Sequence, residues 1–421
     1  MGDGTPGVGV PTPPAERVAD RLGSGPASAG VAPRFQILVL NQISANGLKR
    51  LPGERYTTTK TATMPDAVLV RSADMHGIAI APSVLAIARA GAGTNNIPVD
   101  AMSARGVPVF NAPGANANAV KELVLAAMLM TARNLAPALR FVAGLSNDMD
   151  KAVEEGKKTF AGFELAGHTL GIVGLGKIGC LVADAAIKLG MQVWGFDPHI
   201  TVDAAWSLPA QVKKAGSVAE VLKNADFVTL HVPLIEATRD LLNADNIGQM
   251  RSGAVLMNFS REGIVNEAAV LAALAGKRLA WYACDFPSPA LHGQERVLAL
   301  PHLGASTAEA EENCAIMVVD QLRDYLEHGV VANAVNFPAV AMARESVFRV
   351  AIANANVPNM LGQISTAMAN AGLNIHNMVN KSRGDMAYTL VDVDSAVADS
   401  VLDTIRAITG VLSVRYLPDT P

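Results

Sequence analysis

Residues 169–197 read TLGIVGLGKIGCLVADAAIKLGMQVWGFD, and this stretch decides the fold of the chain around it. An apolar run ends in the spacing G-x-G-x-x-G, formed by Gly174, Gly176 and Gly179. A helical pattern, a second apolar run and Asp197 follow. Such glycines give a tight turn, close approach of the backbone to a pyrophosphate and close packing of a helix on a strand. The order predicts a dinucleotide-binding βαβ unit rather than a glycine turn kept for packing alone.

Asp197 indicates which dinucleotide this unit binds. It lies 21 positions after Gly176, close to the ~20 at which a carboxylate reaches the ribose hydroxyls. A negative charge there repels the 2′-phosphate of NADP, so the sequence predicts NAD. The helix that the turn opens directs its free N–H groups at the pyrophosphate.

Length and composition limit the class of protein. The 421 residues exceed one hydrophobic core and predict two to three domains. Half of the residues are hydrophobic and 17% are charged, which suits buried parallel sheets and an oligomer interface. No apolar run reaches the ~18 residues of a membrane span. A net charge of −4 without a basic cluster gives no surface for nucleic acid or for an anionic membrane.

The three cysteines bear on metal binding and on the compartment. Cys180, Cys284 and Cys314 are odd in number and widely spaced. This pattern argues against a disulfide framework and against a zinc site, so no metal is expected. It favours a reducing cytoplasm.

The alternation of apolar runs with helical patterns divides the chain into segments. Residues 1–33, rich in Gly, Pro, Ala and Ser, are predicted to be a disordered tail. Residues 34–116 and 306–336 are predicted to form one α/β domain, interrupted by the nucleotide-binding domain at 117–305. Helices are expected at 117–135 and 307–328. Alternating strands and helices predict doubly wound parallel sheets with ligand at the carboxyl ends of the strands.

The C-terminal part of the chain has a different pattern. After a short linker at 337–346, residues 347–421 read strand, helix, strand, strand, helix, strand. This βαββαβ order is ferredoxin-like. A unit of about 75 residues is large enough to fold alone, but it gains stability by pairing its sheet with a partner.

Many motifs beyond the glycine turn carry a resemblance to a known family. They are VRSADM, ARAGAGTNNI, NAPGANANAVKE, FELAGHTLGIVGLGKIG, GMQVWGFDP, HVPL, MNFSREGIVNE, CDFP and LPHLGAST. The chain resembles the D-2-hydroxyacid dehydrogenases over about residues 35–417, and within that family the phosphoglycerate dehydrogenases that carry a C-terminal ACT domain. The resemblance implies a Rossmann-type sheet inserted in a flavodoxin-like substrate domain. It also implies NAD-dependent oxidation of D-3-phosphoglycerate to 3-phosphohydroxypyruvate, the first step of L-serine biosynthesis, in a homodimer or homotetramer.

The resemblance assigns the chemistry to two residues. His302 matches the acid/base histidine, and an imidazole can take and return a proton near neutral pH. The alternative is a histidine that only packs in the core. Arg261 matches the arginine that forks onto the substrate carboxylate. Its alternative is a surface ion pair with Glu262.

Further residues match positions that bind substrate and cofactor. Arg71, Ser72 and Asn116 match contacts to substrate, and Arg71 is expected to bind the phosphate unless it is a solvated cation at a strand end. Asp285 is expected at the nicotinamide carboxamide. The cofactor contacts implied are Gly174, Gly176, Lys177, Ile178, Gly179, Asp197, His231, Val232, Pro233, Ser260 and Asp285.

One departure from the family lies after Asp285. The family places a glutamate a few residues later, hydrogen-bonded to the histidine, whereas this chain has no glutamate between Asp285 and Glu295. Either another carboxylate pairs with His302, or His302 works unpaired, or catalysis is weakened. The alternatives to the implied function are the same chemistry on glycerate, glyoxylate or 2-oxoglutarate, and a catalytically decayed sensor of NAD and amino acids.

The C-terminal unit resembles ACT domains, which pair across subunits and bind amino acids. Asn356 and Asn374 match positions that bind serine in regulated members. Asn354 stands where those members often have histidine, and Asn359 replaces the usual glycine after Pro358. L-serine is therefore the expected effector, and the alternative is an assembly domain without a ligand.

Overall fold

The first sheet of the fold is formed near the start of the described chain. A computed structural model describes residues 35–146 and 149–418, so the predicted N-terminal tail lies outside it. The strands of the first sheet are β1 (Phe35–Val39), β2 (Tyr56–Thr59), β3 (Ala67–Val70), β4 (Ala86–Arg89) and β5 (Val109–Phe110), with helices α1 (Ala45–Leu48) and α2 (Val99–Ala104). All pairs are parallel, in the order β2-β1-β3-β4-β5. This is the flavodoxin-like order, which confirms the predicted fold.

The second sheet begins with the glycine-rich turn. Three helices precede it: α3 (Ala117–Ala132), α4 (Leu135–Ala143) and α5 (Met149–Gly156). Its elements are β6 (Thr169–Val173), α6 (Lys177–Lys188), β7 (Gln192–Phe196), α7 (Val202–Ser207), β8 (Lys213–Lys214), α8 (Val218–Asn224), β9 (Phe227–Leu230), β10 (Ala254–Asn258), α9 (Glu267–Ala275), β11 (Leu279–Cys284) and β12 (Val297–Ala299). Short 3-10 turns lie at Lys157–Phe160, Glu236–Thr238 and Ile247–Gln249.

The strand order of the second sheet positions its ligand. The order is β12-β11-β10-β9-β6-β7-β8, with every pair parallel. It reverses direction at β6, so the glycine turn that follows β6 lies at the topological switch point. Rossmann-type sheets bind their ligands there.

One predicted helix has the wrong extent. The helix expected at 117–135 ends at Ala132, because Asn134 adopts a φ of +50° and α4 starts in a new direction. No single helix in the described part of the chain is long and apolar enough to span a membrane. The pair α3 and α4 meets that test by length and composition, but it is bent by 67°.

The long helix predicted at 307–328 is confirmed as α10 (Ala308–His328). The Thr307 side chain caps it by accepting a hydrogen bond from the backbone of Ala310 at 3.1 Å. Cys314, Val318 and Leu322 on its buried face lie in one core with residues of β1 and β4. The helix therefore returns to the first sheet, as the discontinuous first domain requires.

The third sheet is antiparallel. It contains β13 (Phe348–Ala355), α11 (Met360–Asn370), β14 (Ile375–Arg383), β15 (Met386–Val393), α12 (Asp399–Arg406) and β16 (Val411–Pro418). The strand order is β14-β15-β13-β16. The βαββαβ prediction is confirmed, and α11 and α12 cover one face of the sheet around Ile364 and Leu402.

The other face of the third sheet packs on the rest of the chain. Tyr388 and Leu417 lie in the same core as Leu322 of α10. The segment predicted to be a linker, residues 337–346, contributes fully buried Phe337 and Val340 to this core. We call this contact the seam. Because apolar side chains of the predicted linker fill it, that segment is a packed part of the fold.

Polar groups of the third sheet complete the seam. Arg415 donates to the carbonyl oxygens of Tyr325 and Leu326 at 3.0 and 2.8 Å, and the Tyr388 hydroxyl donates to that of Gly329 at 2.9 Å. The last carbonyls of a helix have no partner within it. Side chains of the third sheet therefore add hydrogen bonds at the C-terminal end of α10, where the backbone of Gly329 also donates to Tyr325.

A buried ion pair lies at the edge of the same contact. The Arg349 guanidinium pairs with Asp392 at 2.6 Å, and both side chains are almost fully buried. Arg349 also donates to the carbonyl oxygens of His328 and Ala343. Buried charges are tolerated when hydrogen bonds satisfy them in this way, and through these bonds Arg349 links the third sheet to the end of α10 and to the segment before β13.

Candidate active site

The predicted site residues follow the carboxyl ends of parallel strands in the first two sheets, and these ends face each other. Arg71 follows β3, whereas Arg261, Asp285 and His302 follow β10, β11 and β12. An ideal Cβ built on Gly93, in the loop after β4, would lie 3.7 Å from Nη2 of Arg261. The two domains therefore meet in a cleft that these loops line.

Three arginines converge in this cleft. The same ideal Cβ on Gly93 would lie 3.7 Å from Nη1 of Arg89, so the guanidinium groups of Arg89 and Arg261 flank one point. Nε of Arg89 donates to the carbonyl oxygen of Arg71 at 3.1 Å. Burial lowers the pKa of Arg89, and the positive charges of Arg261 and Arg71 lower it further. A guanidinium remains charged in proteins, so this group of arginines is suited to bind an anion.

Sequence reasoning did not single out Arg89. Its signal was available, because it is a charged residue that ends the otherwise apolar strand β4 just before Gly91 and Gly93. A side chain at either glycine would approach the guanidinium groups, so the glycines leave them room. A strand-end arginine followed by two glycines is therefore an indication of an anion site.

Arg71 does not stand alone as a solvated cation. Its Nη2 lies 2.5 Å from Oε1 of Glu311 in the first turn of α10, and the two side chains are 35% and 41% exposed. Ser72 is exposed beside it. Asn116 precedes α3, and its side chain makes no capping hydrogen bond to that helix. The three predicted substrate residues thus lie at strand and helix ends of the first domain.

Arg261 is positioned by its own loop. Asn258, which is buried at the end of β10, accepts from the backbone of Ser260 at 3.1 Å and donates to the carbonyl oxygen of Arg261 at 2.9 Å. Nη1 of Arg261 donates to the Ser260 carbonyl oxygen at 2.7 Å. No ion pair with Glu262 forms among the residues the structure describes. The Ser260 hydroxyl donates to the Leu230 carbonyl oxygen, so it ties β10 to β9.

His302 has an unusual backbone and no carboxylate beside it. Its φ is +57°, in the left-handed region that side chains rarely adopt. Strained backbone of this kind clusters at functional sites. Its exposed ring packs in a T-shaped arrangement with that of Phe286, with the ring centroids 5.2 Å apart. Within residues 35–146 and 149–418 no carboxylate lies at hydrogen-bonding distance from the ring, so the missing glutamate has no substitute there.

Asp285 holds the loop that carries His302. Its side chain is buried, and its two oxygens accept from the backbone of Leu303 and Gly304, each at 2.7 Å. Each carboxylate oxygen keeps a second lone pair. Asp285 can therefore anchor this loop and still accept the contact predicted from the nicotinamide.

The glycine turn is shaped to admit a pyrophosphate. Gly174 has a φ of +96°, and a Cβ on it would lie 2.6 Å from the carbonyl oxygen of His231. A Cβ on Gly179 would collide with the carbonyl oxygen of Gly174, whereas a Cβ on Gly176 would meet only open space. Helix α6 starts at Lys177 without a side-chain cap, so its first N–H groups remain for a ligand.

Two further residues test the fit of a dinucleotide. Asp197 directly follows β7, and its oxygens accept from the backbone of Leu175 and His199 at 2.9 Å. This leaves a charged carboxylate next to the glycine turn. The Nδ1 atom of His231 is buried without a partner in the described residues, and burial lowers the pKa of His231 to about 3. A neutral imidazole with one free nitrogen is suited to contact a ligand.

Other predicted cofactor residues lie near the glycine turn. Val232 and Pro233 follow His231, and a Cβ on Gly174 would lie 3.0 Å from a methyl group of Val232. Ile178 lies in the first turn of α6 beside Lys177. The residues at this end of the second sheet therefore fit NAD, and the Asp197 charge disfavours a 2′-phosphate.

A second pocket lies in the C-terminal domain. It has a volume of about 210 Å³, and four asparagines line it: Asn354, Asn356, Asn359 and Asn380. Oδ1 of buried Asn354 has no partner in the described residues. Asn359 has a φ of +62°, which explains why asparagine can replace glycine there. Asn374, the third predicted effector residue, does not line this pocket.

Comparison with known proteins identifies the family of the chain. Residues 125–304 match the model of the D-isomer specific 2-hydroxyacid dehydrogenase NAD-binding domain. D-3-phosphoglycerate dehydrogenase of Haemophilus influenzae is 32% identical over 352 residues, which are 81% of this chain and 83% of that protein. The Escherichia coli K12 enzyme of the same name is 33% identical over 339 residues, which are 77% of this chain and 79% of that protein.

A solved structure shares the fold. The NAD⁺-bound 3-phosphoglycerate dehydrogenase of Entamoeba histolytica has a TM-score of 0.56 at 24% identity, over 72% of this chain and 98% of that one. At that identity the likeness concerns the fold alone, whereas the two bacterial sequences show the family. The chain therefore belongs to the D-3-phosphoglycerate dehydrogenases, within the D-isomer specific 2-hydroxyacid dehydrogenase family.

Proposed function

We propose that this protein oxidises D-3-phosphoglycerate to 3-phosphohydroxypyruvate with NAD, in the first step of L-serine biosynthesis. The observation that carries the proposal is the proximity of the guanidinium groups of Arg89 and Arg261, with the positive charge of Arg71 acting on Arg89. One guanidinium suffices for the carboxylate of a 2-hydroxy acid, and the others supply donors for a phosphate. The bacterial relatives are named for the same activity.

Each residue of the cleft has a role in this chemistry. When bound, NAD supplies the two-electron acceptor for the hydrogen on substrate C2. A ring nitrogen of His302 takes the proton of the substrate hydroxyl, and the Arg261 guanidinium binds the adjacent carboxylate. Arg71 and Arg89 bind the phosphate. Asp285 keeps the His302 loop in place through the backbone of residues 303 and 304.

The test compares a phosphorylated with an unphosphorylated acid. Arg71→Ala removes a charged hydrogen-bond donor worth ~1.5–3 kcal/mol, so KM for D-3-phosphoglycerate should rise roughly 10- to 100-fold. KM for D-glycerate should change less than about threefold in Arg71→Ala. In the control Arg140→Ala, on exposed α4, KM should change less than about threefold for both acids. Equal losses on both acids would favour an unphosphorylated substrate. Absence of turnover despite NADH binding would favour the sensor.

We propose that the C-terminal pocket binds L-serine as a feedback effector. Four side-chain amides can pair with its hydroxyl, ammonium and carboxylate groups, and about 210 Å³ is enough for a small amino acid. L-serine should inhibit NADH formation, D-serine should inhibit it less, and Asn356→Ala should weaken the inhibition. Unchanged activity at millimolar L-serine would contradict the effector role and favour a domain that serves only in assembly.

We infer that the protein works as a homodimer or homotetramer in the cytoplasm. Leu129, Leu139 and Val142 on α3 and α4 are 45%, 66% and 48% exposed, an apolar surface that a second copy would cover. All three cysteines are free and buried, in keeping with a reducing compartment. Sedimentation of a monomer at micromolar concentration would contradict the oligomer.

A further inference from the structure

Glu311 brings a negative charge into the cationic cleft. Among the described residues, Arg71 is the only one of the three arginines that has a carboxylate partner, at 2.5 Å. Arg89 and Arg261 instead donate to the backbone carbonyl oxygens of Arg71 and Ser260. An acid in the first turn of a helix is favoured by the helix dipole, so the start of α10 stabilises this charge where the substrate phosphate is expected.

Two opposing effects follow from this pair. Glu311 can hold the Arg71 side chain in place, which helps binding, and it can compete with the phosphate for the same guanidinium, which hinders it. Both side chains are more than a third exposed, and exposed ion pairs order their side chains weakly. A phosphate ester carries a charge of about −1.5 to −2 at neutral pH. Competition between two anions is therefore the larger effect.

We propose that Glu311 is a specificity-determining residue that acts through Arg71. It pairs with Arg71, one of the two proposed phosphate-binding arginines, in the free protein and must be displaced by a phosphorylated acid, so it weakens the binding of phosphorylated acids in particular. An unphosphorylated acid places no group at Arg71 and leaves the pair intact. This inference rests on the proposed function, since it takes Arg71 as a phosphate ligand.

The experiment compares Glu311→Gln with Glu309→Gln. Glu309 is the other acid in the first turn of α10, is exposed and has no ion pair among the described residues, so its loss reproduces the change in helix charge alone. KM for D-3-phosphoglycerate and the inhibition constant of inorganic phosphate are measured. D-glycerate is measured as substrate or as competitive inhibitor.

Glu311→Gln should lower KM for D-3-phosphoglycerate and the inhibition constant of phosphate roughly two- to fivefold, about 0.4–1 kcal/mol at ~1.4 kcal/mol per tenfold. The kcat value and the affinity for D-glycerate should stay within about twofold. Glu309→Gln should leave all of these constants unchanged. Glu311→Asp, which keeps a shorter carboxylate, should lie between Glu311→Gln and the unmodified protein.

The outcomes separate this inference from the proposed function. If Glu311→Gln leaves KM for D-3-phosphoglycerate unchanged or raises it, while Arg71→Ala still raises it selectively, the inference is wrong and the proposed function stands. The same fall in both glutamine variants also overturns the inference, because the effect then belongs to the helix terminus. If Arg71→Ala weakens both acids equally, the phosphate site and the inference are both wrong.

Discussion

Replacing Tyr388 with alanine tests whether the third sheet and the first domain share one core. Tyr388 is buried in the seam, with its ring centroid 6.5 Å from that of Tyr325 and 6.4 Å from that of Phe337. Burial raises its pKa, so the hydroxyl stays protonated and donates to Gly329. Truncating a fully buried aromatic ring costs about 3–5 kcal/mol. Tyr388→Phe keeps the ring and costs about 0.5–1.5 kcal/mol.

Hydrogen exchange locates where that stability is lost. If the seam opens as one unit, amides of β1, α10 and the third sheet should exchange faster by about two to three and a half orders of magnitude in Tyr388→Ala. Tyr388→Phe should accelerate the same amides about tenfold or less. Faster exchange confined to residues 347–418, with β1 and α10 unchanged, would refute the shared core and restore the independent domain that the sequence suggested.

Three further predictions concern the site. A Cβ in Gly179→Ala collides with the Gly174 carbonyl oxygen, so NADH affinity measured by fluorescence should fall roughly 10- to 100-fold, and unchanged affinity would contradict the turn geometry. Asp285→Asn removes one acceptor of the His302 loop, so kcat should fall roughly tenfold or more; a change in NADH affinity alone would limit Asp285 to the cofactor. The pKa of His231 is lowered to about 3 in the folded protein. Between pH 6.5 and 3 this histidine is therefore protonated in the unfolded chain and neutral in the folded protein. The free energy of unfolding should therefore fall by about 2 kcal/mol when the pH is lowered from 8 to 5. If the denaturant midpoint of His231→Gln falls by the same amount over this range, His231 is not the cause.

The fold was predictable because its signals are local. Each buried parallel strand is a short apolar run, and each run is followed by a turn and a helical pattern, so the order of elements can be read in sequence. The loops that follow the strands are where this architecture binds its ligands, and the family motifs that contain Arg261 and Asp285 lie in those loops. The bend at Asn134 was missed because α3 and α4 continue one apolar pattern, and only the φ of +50° separates them.

The electrostatics of the cleft were only partly predictable. The shortened segment after Asp285 predicts a histidine without its glutamate, and the structure shows Phe286 rather than a carboxylate against His302. The anchoring of the His302 loop by Asp285 could not be predicted, because the partners of Asp285 are backbone groups of residues 303 and 304. Backbone hydrogen bonds leave no trace in side-chain type.

Helix α10 shows where local patterns stop being informative. Its start at Thr307 and its end before Gly329, which has a φ of +71°, follow from a polar cap and a glycine, so its extent was predictable. Its contacts were not, because Glu311 meets a partner 240 residues away and the carbonyl of Gly329 meets one 59 residues away. One helix thus extends from the anion site to the third sheet. Glu311 lies at the start of this helix, and Tyr388 contacts the residue that follows its end. Variants at both positions therefore test contacts of the same helix, at its two ends.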